Sequence, residues 1–178
     1  FLIGGLILAT VIMRTEIKKV EQYGYVFLFL CILALLSVWI PGIGKSVNGA
    51  RRWVSLGPIN FQAVEAVKLM FIIWLASYLV RYRDQIGVSI KALLKPIGIA
   101  GLLVAMLLLQ PDFGSSALIL AITLCMIWMG GANPKHIVGP TVAIVAAMGF
   151  IAWLEPYRVK RMTTFINPWA DQFDSGFQ

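Results

Sequence analysis

A chain of 178 residues in which 60% are hydrophobic, 13% are charged and the mean hydropathy is +0.85 lies far from the composition of ordinary soluble domains. Its formal charge of +7 suits anionic membrane surfaces or anionic ligands; nucleic acid is not an expected partner. Cys31 and Cys125 both sit in apolar runs with no paired spacing and no nearby His cluster, which gives no support to a disulfide framework or a zinc site.

A hydrocarbon core about 30 Å thick needs roughly 20 mostly apolar helical residues to cross it. The first run, Phe1 to Met13, falls short of that and is followed rather than preceded by Arg14, Lys18 and Lys19, the reverse of a signal peptide. It reads as the tail of a truncated span. Full spans are expected at Tyr23 to Ile40, Ala63 to Leu79, Leu93 to Leu109, Ser115 to Gly131 and Ile137 to Leu154, with charged or Pro/Gly-rich connections between them. The expected fold is an all-α polytopic transmembrane helical bundle: five full spans plus one truncated N-terminal span, with an outer loop at the C-terminal end. Residues 1–178 are read as a single integral-membrane domain, incomplete at both ends.

Alternating spans sort the connections into two sets. Residues 14–22, 81–95 and 133–136 carry eight Lys and Arg; residues 41–60, 110–114 and 155–178 carry six. The positive-inside bias places the first set in the cytoplasm by a narrow margin. The margin is narrow because the outer set concentrates its cations in two loops, each with paired basic residues and a Trp, and a ligand is a reasonable explanation for them.

Three clusters carry candidate chemistry. The first is the stretch from Gly42 through Asn48-Gly49-Ala50-Arg51-Arg52-Trp53, leading into a helix with Gln62, Glu65 and Lys68. Guanidinium groups suit bidentate contact with phosphate, and nearby glycines let backbone donors approach it. Spacing by three puts Gln62, Glu65 and Lys68 on neighbouring turns of one helical face. The structural alternative is a local salt bridge with Trp53 as an interfacial anchor, although ionisable residues within a span usually mark function. The second cluster is the turn Gln110-Pro111-Asp112-Phe113-Gly114, where local evidence favours Asp112 as a helix cap. The third is the terminal loop: Tyr157-Arg158-Val159-Lys160-Arg161, then Asn167-Pro168-Trp169-Ala170-Asp171 and Asp174. Its carboxylates suit acid/base work, metal binding or plain solvation, and sequence proximity does not choose among these. His136 reads as a loop or interfacial residue.

The ordered set of motifs resembles the SEDS family (FtsW/RodA/SpoVE) of bacterial division, elongation and sporulation. The set runs Val47-Asn48-Gly49-Ala50-Arg51-Arg52-Trp53, Phe61-Gln62-x-x-Glu65-x-x-Lys68-Leu69, Gln110-Pro111-Asp112-x-Gly114, Arg161, Asn167-Pro168-Trp169-x-Asp171 and Ser175-Gly176-Phe177-Gln178. The resemblance covers nearly all the chain, and the Asn-Gly-Ala-Arg-Arg-Trp and Asn-Pro-Trp segments are most like the division branch. Two departures stand out. The usual Gln-Pro-Ser-Glu is Gln62-Ala63-Val64-Glu65 here, and the usual Asp-Pro-x-Gly-x-Gly-Tyr-Gln is Asp171-Gln172-Phe173-Asp174-Ser175-Gly176-Phe177-Gln178. The first puts the local helix start in question; the second introduces Asp174 as a competing carboxylate.

The resemblance implies a peptidoglycan glycosyltransferase that polymerises lipid II at the outer face of the bacterial cytoplasmic membrane, in division and at the septum. Its expected partners are polyprenyl-pyrophosphate-linked glycan, a class B penicillin-binding protein, other division proteins and membrane lipids. By the same resemblance Asp171, Glu65 and Lys68 are the candidate catalytic residues. Arg51, Arg52, Trp53, Gln62, Asn48, Gln110 and Asp112 are candidate substrate-binding residues. A divalent cation, Mg or Mn, with Asp171 as its ligand, is the one cofactor considered. Two other classes compete: a flippase or transporter of the lipid-linked precursor, and a membrane scaffold that recruits a penicillin-binding protein.

Overall fold

The computed structural model describes residues 10, 14, 16–47, 50–56 and 59–154. In chain order the elements are α1 (Ile17–Gln22), α2 (Gly24–Ser37), β1 (Gly44–Val47), β2 (Ala50–Leu56), β3 (Ile59–Gln62), α3 (Ala63–Arg81), α4 (Arg83–Ile86), α5 (Ile90–Leu109), α6 (Phe113–Met129) and α7 (Pro134–Trp153). Among the described residues α3, α5 and α7 are long and apolar enough to cross a membrane, and α2 and α6 are shorter apolar helices. The expected span from Phe1 to Met13 lies outside the described residues, apart from Thr10. Two compact units divide the chain, residues 1–134 and 135–178, and in the second the described part is α7.

One expectation needs correction. The chain is mostly helical rather than all-α, because the connection between α2 and α3 folds as a three-stranded antiparallel sheet in the order β1-β2-β3. Val47 pairs with Ala50 and Leu56 with Ile59, so each strand connection is two residues long. The intervening Asn48-Gly49 is the strongest short hairpin signal a sequence carries. Alternation along β2 turns Val54 inward, where it joins Val38 and Ala63 in a small core with Ile43 packed against it.

Helix α2 ends under the sheet, and its last four carbonyls all find donors. Ser37 Oγ donates to the Ala34 carbonyl at 2.7 Å, Gln110 Nε2 to Leu35 at 3.1 Å, Trp39 N–H to Leu36 at 3.0 Å and Ile40 N–H to Ser37 at 3.2 Å. These groups have no partner inside the helix and would be costly to leave bare in an apolar setting. The chain then doubles back so tightly that a Cβ on Gly44 would lie 1.9 Å from the Val38 carbonyl oxygen; only glycine fits there.

In the first unit α2 packs on α3, α5 on α6, and α3 against α6. Gly24 sets the α2–α3 approach, since an added Cβ would meet Ser77 Cβ at 2.9 Å. Pro96 lies inside α5 and has no N–H to give the carbonyl four residues earlier. That carbonyl, on Ala92, instead accepts from the Tyr78 hydroxyl at 2.9 Å. Tyr78→Phe is therefore expected to strand a buried acceptor and lower stability by about 1–3 kcal/mol; thermal unfolding of the full-length protein in detergent measures it, and an unchanged midpoint would show the bond to be dispensable.

The helix starts that differ most from the expected ones are those of α5 and α7. Helix α5 begins at Ile90 rather than Leu93, bringing Lys91 onto the helix, and α7 begins at Pro134, a residue suited to the first helical position. His136 thus lies in the first turn of α7 and not in a loop.

Candidate functional site

The sheet, the start of α3 and the α5–α6 turn meet at one end of the first unit. Arg52, on the same face of β2 as Val54, reaches across to that turn. Its Nε donates to the Gln110 carbonyl at 3.5 Å, its Nη2 donates to the Pro111 carbonyl, and its Nη1 lies 3.7 Å from Asp112 Oδ1. The arginine is partly exposed, whereas the Asp112 side chain is only 7% exposed. Asp112 caps α6 as its local sequence suggests: Oδ1 accepts from the Ser115 N–H at 3.3 Å, and its carbonyl accepts from Ser116 Oγ at 2.7 Å. Its Oδ2 is buried without a hydrogen-bond partner. Gln110 is buried and spends its amide donor on α2. The three residues thus form a clasp between β2, α2 and the α5–α6 turn.

Removing one partner of this clasp bares the other. Arg52→Met is expected to lower stability by about 1–3 kcal/mol, because the buried Asp112 carboxylate loses its cation. Asp112→Asn keeps an oxygen for the cap and removes the charge. The double variant should accordingly recover part of the Arg52→Met loss. Thermal midpoints of the two single variants and the double variant check this, and simple additivity would show that the charges are not coupled.

Gln62 stands differently from the expected helical row. It is the last residue of β3, paired with Trp53, and α3 starts immediately after it at Ala63. The helix start questioned by the absence of a family proline therefore holds without one. Across the sheet Lys45 pairs with Trp53 and Trp53 with Gln62, forming one cross-strand row, and Lys45 Nζ donates to Asn60 Oδ1 at 3.4 Å. Lys45 and Asn60 had no assigned place in the site; strand alternation is the signal that brings them to it.

Glu65 and Lys68 form the ion pair that their spacing implies, with Lys68 Nζ 2.8 Å from Glu65 Oε1. Lys68 is 19% exposed and Glu65 56%, so the cation is the more enclosed member. Both lie in the opening turns of a 19-residue apolar helix, at the end where the sheet and clasp sit. Asp171, Asp174 and Asn48 lie outside the described residues; for Arg51 the description is confined to its backbone in β2. Among the described residues no group of three His, Cys, Asp or Glu side chains is arranged to hold a metal ion.

A family model described as a cell cycle protein, FtsW/RodA/SpoVE, matches residues 1–178. The chain belongs to the FtsW/RodA/SpoVE family. Within it, the chain is 50% identical over 178 residues to the probable peptidoglycan glycosyltransferase FtsW of Xanthomonas oryzae pv. oryzae, covering 37% of that protein. It is 41% identical over 178 residues to the FtsW of Legionella pneumophila, covering 45%. The chain thus spans less than half the length of these relatives. Among solved structures, it matches a chain from a peptidoglycan synthase complex that coordinates polymerization and crosslinking. That match has a TM-score of 0.74 and 25% identity, covering 95% of this chain and 49% of the other. The rod shape determining protein RodA of Thermus thermophilus matches with a TM-score of 0.64 and 28% identity, covering 80% of this chain and 46% of the other. The FtsW/RodA/SpoVE fold is thus matched by this chain, and the described parts of the motifs between Val47 and Gly114 lie at the sheet end.

Proposed function

We propose that the protein polymerises lipid II into glycan strands at the outer face of the bacterial cytoplasmic membrane during division, alongside a class B penicillin-binding protein. The names of the FtsW relatives support the activity, and the neighbouring peptidoglycan synthase complex supports such a partner. In this reading α2, α3, α5, α6 and α7 are the five full spans, and the sheet end faces outward. The observation that carries the reading is the Glu65–Lys68 pair, set where an apolar helix opens onto the sheet. An ionisable pair there serves a polar substrate entering from the membrane surface better than it serves packing.

The reaction is an inverting transfer. A sugar hydroxyl of one lipid-linked disaccharide attacks the anomeric carbon of a growing glycan, forming a glycosidic bond as the bond to polyprenyl pyrophosphate breaks. Asp171 takes the hydroxyl proton, and Arg51, Arg52 and Lys68 offer positive charge to the departing pyrophosphate. Glu65 orients Lys68. Arg52 reaches the pyrophosphate only by loosening its hold on Asp112. Trp53, Gln62, Asn48, Gln110 and Asp112 shape the surroundings of the substrate.

A carboxylate joined by pyrophosphate oxygens and water is a donor set that suits Mg or Mn, and Asp171 would hold such an ion. Bound there, the ion would supply charge neutralisation at the pyrophosphate. The test is glycan-chain formation from lipid II by the purified full-length protein with its partner, with and without a chelator. Polymer that disappears with chelator and returns with Mg or Mn is expected. Transbilayer movement of lipid II without polymer would replace this reading with a flippase.

A further inference from the structure

The opposite end of the first unit carries a cluster that the proposed reaction does not use. Tyr25 of α2 is flanked by two cations from two other helices. The Arg81 guanidinium of α3 lies 5.5 Å from its ring centroid and the Lys95 ammonium of α5 lies 5.3 Å from it, while Lys95 also donates to the Tyr25 hydroxyl at 3.3 Å. Lys95 stands 5.7 Å from the Tyr78 ring as well. Among the described residues neither cation has a carboxylate within salt-bridge distance. Ring faces attract cations without cancelling their charge. Two like charges gathered on one ring leave the site short of an anion.

Beside them a small, partly open cleft with room for little more than a water lies between α1, α2 and α3, where Glu21, Tyr25, Trp74, Ser77, Tyr78 and Arg81 line it. Trp74 is 1% exposed, yet its indole N–H has no acceptor. A buried donor of this kind calls for one. Glu21 and Arg81 both line the cleft without pairing among the described residues, and Lys95 adds a second cation beside it.

The surroundings favour an anion that carries hydrocarbon. From Tyr25, exposed apolar residues continue along α2 at helical spacing as Phe29, Leu33 and Leu36. From Lys95, α5 presents Leu102 and Leu109, also exposed. Both rows start at the Tyr25–Lys95 contact, so a phosphate held there has apolar tracks for its chains.

We infer that Arg81, Lys95 and Tyr25, with the Trp74 indole at the cleft, form a binding site for the headgroup phosphate of an anionic phospholipid. The phosphate accepts from both cations, and the acyl chains lie against the rows on α2 and α5.

The test is native mass spectrometry of the full-length protein in detergent, with added phosphatidylglycerol, phosphatidylcholine or inorganic phosphate. Phosphatidylglycerol should be retained about tenfold more tightly than phosphatidylcholine, and Arg81→Gln with Lys95→Gln should remove that preference. Lys18→Gln with Lys19→Gln, which deletes two exposed cations elsewhere, should leave it within about twofold. Equal retention of the two lipids, or an equal loss in the control variant, would overturn the site in favour of diffuse attraction. Displacement of phosphatidylglycerol by inorganic phosphate at the same concentration would overturn the lipid assignment. If the double variant does not survive purification, Lys95→Met at its exposed side chain decides by the same ratio.

Discussion

Asp171→Asn in the full-length protein is expected to reduce lipid II polymerisation by at least about 10²–10⁴-fold, the range over which a positioned acid or base contributes. Asparagine preserves size and most hydrogen bonding, but it cannot take a proton from an attacking hydroxyl and is a poor ligand for a hard divalent cation. Folding, membrane insertion and capture of the penicillin-binding protein should be unchanged, which separates a catalytic from a scaffolding role. Asp174→Asn is the necessary companion, because the segment offers a second carboxylate three residues on. Full activity in Asp171→Asn together with none in Asp174→Asn would transfer the role to Asp174.

The second large effect is expected at the Glu65–Lys68 pair. Pairs spaced by three on a helix contribute about 0.2–0.5 kcal/mol to its stability, and Glu65 is more than half exposed, which weakens the pair further. Lys68→Met should therefore shift the thermal midpoint little. If Lys68 meets a developing pyrophosphate charge, the same change should lower polymerisation by about 10²-fold or more. The exchanged variant, Glu65→Lys with Lys68→Glu, keeps an ion pair and the helix but reverses the sign at each position. It should remain folded and inactive. Wild-type turnover in that variant would falsify a directional role and leave the pair as a structural bridge.

The clasp bears on both results. Arg52 is engaged by two carbonyls and a buried carboxylate, so its substitution mixes a structural loss with any loss of substrate contact. Among the described residues Glu65 and Lys68 bond only to each other through their side chains, and their substitutions report more directly on chemistry.

Much of this was open to a reader of the sequence. Apolar runs bounded by charge locate the helices to within a few residues because hydrocarbon tolerates only helical backbone over such lengths. The i,i+3 spacing gives the Glu65–Lys68 pair because it is a local geometric fact of the helix, and Asp112 three residues before Ser115 gives the cap for the same reason. The ordered motifs gave the family, which the match over residues 1–178 bears out. The sheet was also written in the residues: Asn48-Gly49 between short alternating segments is a hairpin signal, outweighed by reading every outer connection as a loop.

What the sequence by itself determined, then, is the set of apolar helices, the local pair, the cap and the family. Tertiary structure alone decided that Arg52 closes on a turn 58 residues away, that Gln110 completes the end of α2, and that Tyr78 answers the carbonyl freed by Pro96. It also decided that cations from α3 and α5 gather on one tyrosine of α2. The physical reason is that polar groups unsatisfied within their own helix must find partners wherever the packing brings them, and no spacing along the chain encodes which helices will meet.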